Sequence, residues 1–282
     1  MQFFSNLAIG FKAYWKALFF IKEHKMYWYI LFPALLMIAV YKFGEILQQR
    51  RVEASATNMN ELIWFLIYTL IEISLALLLM NFAKYLVVIV LSPLLAHLSM
   101  KTEHILTGNT YPFDLQQFIH DVKRGLIIAF RNIFWQYVFF ALIFLVAFLI
   151  WGDAKQSPLY YLIFVIGAYY YGFSFIDYVN ERLKMNVSES VEFMRQNSGL
   201  AIAIGSVYSI LIFMPVNLEI LFSFNGFKSS GIFLNILEFI LHMILWLAAS
   251  SAPILTIVAS TVAMNDFVGL KKHELLDDYS QQ

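Results

Sequence analysis

Three groups of charged residues stand where apolar sequence begins or runs on, and each is a candidate for chemistry. Lys123 and Arg124, with Arg131 about two turns further on, open a long apolar run, and Lys25 precedes another. Cations gathered at a helix start suit an anion, because free N–H groups and the helix dipole add to their field. The plainer reading is the positive flank of a membrane segment. Glu72 and Lys84 lie inside a further apolar run, about 18 Å apart along a helix axis, too far to pair directly. They mark either a polar pathway or two opposite interfaces, where a lysine snorkels. Glu238 and His242 share one helix face at i,i+4 spacing. That suits a proton relay or a structural hydrogen-bonded pair, and without a third ligand it is no metal site. His97, Lys101, His104 and His120 are too loosely spaced to hold one. The chain has no cysteine, which removes disulfides, iron–sulfur clusters and thiol catalysis. No nucleophile elbow, zinc-protease, phosphate-loop or dinucleotide fingerprint occurs. Nothing here calls for an enzyme, a metal or a cofactor.

The elements that position these residues follow from composition. Of 282 residues, 61% are hydrophobic and 13% charged, with a mean hydropathy of +0.70. The charged share is about half that of an ordinary soluble domain. Too little polar sequence remains to cover a core, so the apolar excess must face lipid. Aromatics at 18% fit helices with interfacial belts. A net charge of zero gives no basis for a nucleic-acid partner. The expected class is an all-α integral membrane protein.

Within residues 1–25, Phe3, Leu7, Phe11, Tyr14 and Leu18 recur at helical spacing beside Lys12 and Lys16. This is an amphipathic helix that either lies in the interface or packs on the rest of the protein. Recurring lysines argue against a signal peptide. A first span runs from Met26 to Tyr41, uncharged, with Pro33 inside it. A second covers residues 62–91, about 45 Å of helix against a hydrocarbon core of ~30 Å, so it tilts or projects. Two helical hairpins follow a polar stretch: 126–150 with 158–178 across Gly152-Asp153 and Ser157-Pro158, and 199–224 with 231–264 across Asn225-Gly226. Residues 265–282 form a tail. Ala201, Gly205 and Ser209 recur every fourth residue, as do Ala248, Ala252, Thr256 and Ser260, which suits either close helix packing or a pore lining. With each apolar segment crossing once, one side collects 13 lysines and arginines and the other 5. Both termini are then expected in the cytoplasm. Partial insertion of both hairpins gives the same answer, so hydropathy leaves open whether they cross.

Several blocks resemble a known family. Ser92-Pro93-Leu94-Leu95-Ala96, then Glu103 and Leu106-Thr107-Gly108, form one. Phe175-Ile176-Asp177-Tyr178, then Arg182, Arg195-Gln196-Asn197 and Gly199, form another. With the amphipathic start and Pro33, these resemble the CysZ and etoposide-induced-protein family. The resemblance implies a bacterial inner-membrane protein that moves sulfate or another small anion and assembles as a homo-oligomer. A non-transporting scaffold of the same family is the alternative. It also implies two long helices over 26–53 and 60–98 and partly inserted hairpins over 126–178 and 199–264. Members with sulfate activity carry Gly-Leu-Arg-Arg before the first-span proline. Aligned on Pro33, Tyr27 and Trp28 stand at the arginine positions, and Lys25 is the nearest cation. Anion contacts are therefore expected from Lys25, Arg124 and Arg131, and structural ties from Glu103, Asp177, Arg182 and Arg195.

Overall fold

The computed structural model describes residues 2–53, 58–72, 90–110, 115–222 and 231–270. These are helical almost throughout, and no strand occurs among them. Helix α1 covers Gln2–Glu23; a 3-10 turn, Met26–Ile30, leads into α2, Leu31–Glu53. Residues 59–72 form α3. Then come α4 (Ser92–Thr107), α5 (Leu115–Trp151), α6 (Leu162–Arg182), α7 (Val187–Gln196), α8 (Ser198–Ile212), α9 (Leu218–Phe222) and α10 (Ile232–Val268). Four described stretches are long and apolar enough to cross a membrane: Met26–Phe43, Lys123–Trp151, Pro158–Arg182 and Ile232–Val268.

Small residues set the packing. In lipid no hydrophobic force drives one helix onto another, so association rests on close contact and hydrogen bonds. Helices α6 and α8 meet backbone to backbone: a Cβ on Gly172 would overlap the Ala201 carbonyl, and one on Gly205 the Ala168 carbonyl. Of the two readings of the Ala201–Gly205 face, packing inside the chain is the one this contact meets. Around it lie Phe173, Phe175, Ile176, Leu200, Ile204, Tyr208, Ile257 and Val258, all buried.

Helix α1 packs across α8 and α10 with Asn6, Gly10, Ala13, Tyr14, Ala17 and Ile21 buried. Phe3, Phe11 and Leu18 point outward instead, with Phe4, Trp15 and Phe19. The helical period is the expected one, but the inward face is the small-residue one, because small side chains let backbones approach and aromatics are at home against lipid. Tyr14 closes this layer. Its hydroxyl donates to the Ile204 carbonyl at 2.6 Å and lies 2.9 Å from Thr256 Oγ1. Burial pushes the phenol above its ordinary range, so it stays a protonated donor.

Two expected elements are divided. Residues 92–98 belong to α4 rather than to a continuous 60–98 helix, with Pro93 in the first turn, where its missing N–H costs no bond. The arm expected over 199–224 stops at Ile212, short of Pro215, whose ring disfavours helix at Met214. At 15 residues, α8 reaches about 22 Å, less than a bilayer core. Helix α10 is buried from Ala249 to Met264, whereas Ile232, Phe233, Leu237, Leu241 and Ile244 are exposed.

The α6–α8 contact makes a direct prediction. Gly205→Ala should lower the melting temperature in detergent and the folded yield, because overpacking costs about 1–3 kcal/mol or more. Gly125→Ala is the control: nothing stands within 4 Å of its Cβ, so stability should hold or rise by about 0.5–1 kcal/mol.

Candidate functional site

The end of α6 that leads into α7 carries an ion-pair network. Arg124 on α5 donates to Asp177 on α6 through Nε at 3.2 Å and Nη2 at 2.9 Å. Its Nη1 donates to the Met185 carbonyl, and Glu181 lies 3.9 Å from Nε. That carbonyl is presented by the turn ending α6, where Lys184 adopts a left-handed conformation (φ 58°) and Met185 N–H reaches back to Asn180. Asn186 and Glu189 then start α7 as a capping box. Ser190 on α7 donates to Asp177 at 2.5 Å, so one carboxylate ties three helices. A second pair stands beside it. Arg182 donates to Glu103 on α4 at 2.6 Å and to Ser99 at 2.8 Å, and Ser99 bonds Thr261 on α10 at 2.7 Å. Both pairs are buried.

Arg131 stands differently. It lies about two turns deeper than Arg124 on the same face of α5. Where Arg124 meets a carboxylate, Arg131 meets the ring of Phe173, with 5.7 Å from guanidinium to centroid. Among the described residues its one hydrogen bond is a 3.4 Å contact with Asn132. Among the described residues no carboxylate forms an ion pair with it. Arg131 is half-buried, so its charge is partly desolvated and uncompensated, a costly state that an anion would relieve.

It lines a pocket of about 660 Å³ with Trp135, Tyr169, Tyr170, Arg195 and Ser198. Arg195 is the second cation. Its side chain is 72% exposed and meets Glu192 at 3.6 Å, a surface pair worth little. Two arginines, two tyrosines and a serine thus line one space with apolar neighbours such as Phe139, Val191 and Ile202, residue types whose donors suit an oxyanion.

The remaining sequence candidates lie apart. Arg124 faces Asp177, not this pocket. Lys25 is exposed at the break before Met26–Ile30, in a left-handed conformation, and does not line the pocket. Glu72 ends the described part of α3, and Lys84 lies outside the described residues. His242 Nδ1 accepts the Asn217 N–H at 3.2 Å. Its work is to satisfy a backbone donor that the break at 213–217 frees, which is obligatory at membrane depth. Glu238 stands one turn from it on α10, half-buried. Arg195, Tyr169, Tyr170 and Ser198 were not singled out for binding by the sequence. The available signal was the charged entry Arg195-Gln196-Asn197-Ser198-Gly199, which parallels Lys123-Arg124-Gly125.

Comparison with known proteins gives one finding. The family model described as "Sulfate transporter CysZ/Etoposide-induced protein 2.4" matches residues 13–223. No curated protein matches the chain.

The buried pair predicts a specific asymmetry. Asp177→Leu should cost about 3–5 kcal/mol, read as a lower melting temperature and poor yield, because Arg124 is left buried and unpaired. The double variant Arg124→Met with Asp177→Leu should recover much of that loss. Equal damage from the double and the single would show that the charges do not act as a pair.

Proposed function

The chain belongs to the sulfate transporter CysZ/etoposide-induced protein 2.4 family, and from that premise we propose that it moves sulfate or a similar small oxyanion across the membrane. The family is one of transporters, not an enzyme class. One observation carries the choice of an anion: Arg131, half-buried and without a carboxylate partner among the described residues, shares a pocket with Arg195. A half-buried cation on an apolar helix, with no carboxylate paired to it among the described residues, is a candidate binding site. Tyr169, Tyr170 and Ser198 add hydrogen-bond donors that strip less water from the anion than apolar walls would. The Arg124–Asp177 and Arg182–Glu103 pairs hold the helices that carry these groups. With Glu181 also 3.9 Å from Arg124, these arginines are matched by carboxylates and add no positive charge to the pocket.

The proposed orientation places both termini in the cytoplasm. The apolar run over 126–150 reaches about 38 Å, enough for the ~30 Å core, and the tip after it carries exposed Asp153 and Lys155. Charges at the tip favour a hairpin that reaches water on the far side.

Two measurements test this reading. In proteoliposomes the protein should give saturable uptake of radiolabelled sulfate. Arg131→Gln should lower it at least about tenfold, the loss of one charge-assisted contact, and Arg131→Lys should fall between. No protein-dependent flux of sulfate, thiosulfate or phosphate would sink the proposal. Because the chain has no cysteine, Asp153→Cys gives a unique label. A membrane-impermeant thiol reagent added outside intact cells should modify it, and protection there would mean that the hairpin ends inside the bilayer.

A further inference from the structure

We propose that the groove between α5, α6 and α8 binds an anionic phospholipid, its phosphate between Arg131 and Arg195 and one acyl chain along α8. Two neighbouring pockets support this. Beyond the cationic pocket lies a second space of about 610 Å³, lined by Gln136, Phe140, Phe164, Ala168, Ser206 and Phe213 among others. The two share Val165 and Ile202 on their walls. They are therefore neighbouring spaces, one carrying the cations and one apolar, and a ligand with a charged head and an apolar tail would occupy both.

Their floor is a single stripe of α8. Ser198, Ile202, Ser206, Ile210 and Phe213 follow at helical spacing, the first two on the cationic pocket and the last three on the apolar one. From Ile202 to Phe213 the helix rises about 16 Å, close to half of the ~30 Å hydrocarbon core. The groove is therefore about one leaflet deep. Its lips are apolar and open outward: Phe164 is 60% exposed, Ile210 66% and Phe213 54%. In a membrane that opening faces acyl chains, so a tail enters sideways without crossing water.

The charged end selects the headgroup. Two guanidinium groups suit the paired oxygens of a phosphate diester, and Tyr170 and Ser198 stand beside them. Among the described residues the only carboxylate paired to either cation is Glu192, 3.6 Å from Arg195 at the rim. Net positive charge remains, which favours a lipid of net negative charge over a zwitterionic one. A free oxyanion satisfies the arginines but leaves the apolar part empty, whereas a phospholipid fills both. The proposal shares with the transport reading the premise that Arg131 and Arg195 form an uncompensated pair, but it is measured by lipid retention, without any flux.

The full chain, purified in mild detergent, would be titrated with phosphatidylglycerol, phosphatidylcholine of the same chains, glycerol phosphate and inorganic sulfate, with bound lipid counted by native mass spectrometry. One phosphatidylglycerol per chain is expected, held at least about tenfold more tightly than phosphatidylcholine and than glycerol phosphate. Arg131→Gln should lower its retention about tenfold. Ile202→Trp fills the joint between the pockets and should abolish retention of the lipid; Ser206→Leu, a smaller filling, should weaken it, with helical content by circular dichroism confirming a folded chain. Equal retention of the two phospholipids, displacement by glycerol phosphate or sulfate at concentrations equal to the lipid's, or full retention in both filled variants would overturn the proposal. The first outcome would mean non-selective lipid, and the second a site for free oxyanions only. Loss of sulfate flux with intact lipid retention would sink the transport reading and leave this one standing.

Discussion

Gly172 and Gly205 allow the backbones of α6 and α8 to touch, and much else in the protein follows from that contact. In a bilayer, large apolar side chains are as well solvated by lipid as by each other, so burial of leucine does not hold helices together. Direct backbone approach does, because it maximises dispersion contacts and excludes any competing acyl chain. With α6 and α8 locked, α1 lies across α8 through Gly10, Ala13 and Ala17, and the inner half of α10 closes the layer. The polar atoms between these helices then have fixed partners. Tyr14 finds Ile204 and Thr256, Ser99 finds Thr261, and Asn6 finds Asn197 at 2.9 Å.

The same lock fixes a contrast along α5. Arg124 and Arg131 lie on one face of that helix, about two turns apart. Their counterparts on α6 are Asp177 and Phe173, one turn apart. The outer cation is neutralised by a carboxylate, whereas the inner one meets an aromatic face and a 3.4 Å contact with Asn132 among the described residues. A buried ion pair contributes little net stability over an apolar pair, but it fixes register, since a slipped helix would strand both charges. The outer pair therefore sets the position at which the inner charge stays available. An aspartate opposite Arg131 would stabilise the bundle and abolish the positive potential of the pocket.

Local periodicity made part of this legible. The helical class, the lipid-facing apolar excess and the four-residue repeat of Ala201 and Gly205 each depend on residues within a few turns of one another. Asp177 and Arg182 could be read as ties because charged groups at the foot of an apolar helix need partners. Which partners they take was not legible: Arg124 and Asp177 are 53 positions apart, and Glu103 and Arg182 are 79. Only the fold decides such pairs. The inward face of α1 misled for a related reason. A hydrophobic period picks out large side chains, whereas packing in lipid selects the small ones between them. From the sequence Arg195 reads as a structural tie, and its place on the pocket that Arg131 lines depends on how α7 packs against α6 and α8.

The shortness of α8 completes the logic. A full-length span in its place would run beside α6 to the tip of the first hairpin and cover the apolar pocket. Pro215 follows the end of the helix, and His242 meets the backbone donor that the break releases at Asn217. The break would be unaffordable in hydrocarbon without that acceptor. So an apparent flaw, a helix too short to span, leaves an opening flanked by Phe164, Ile210 and Phe213. The cations line one pocket and apolar side chains the other. On the proposed reading such a site would match the bilayer itself, and a small anion that reaches Arg131 would share that space with lipid.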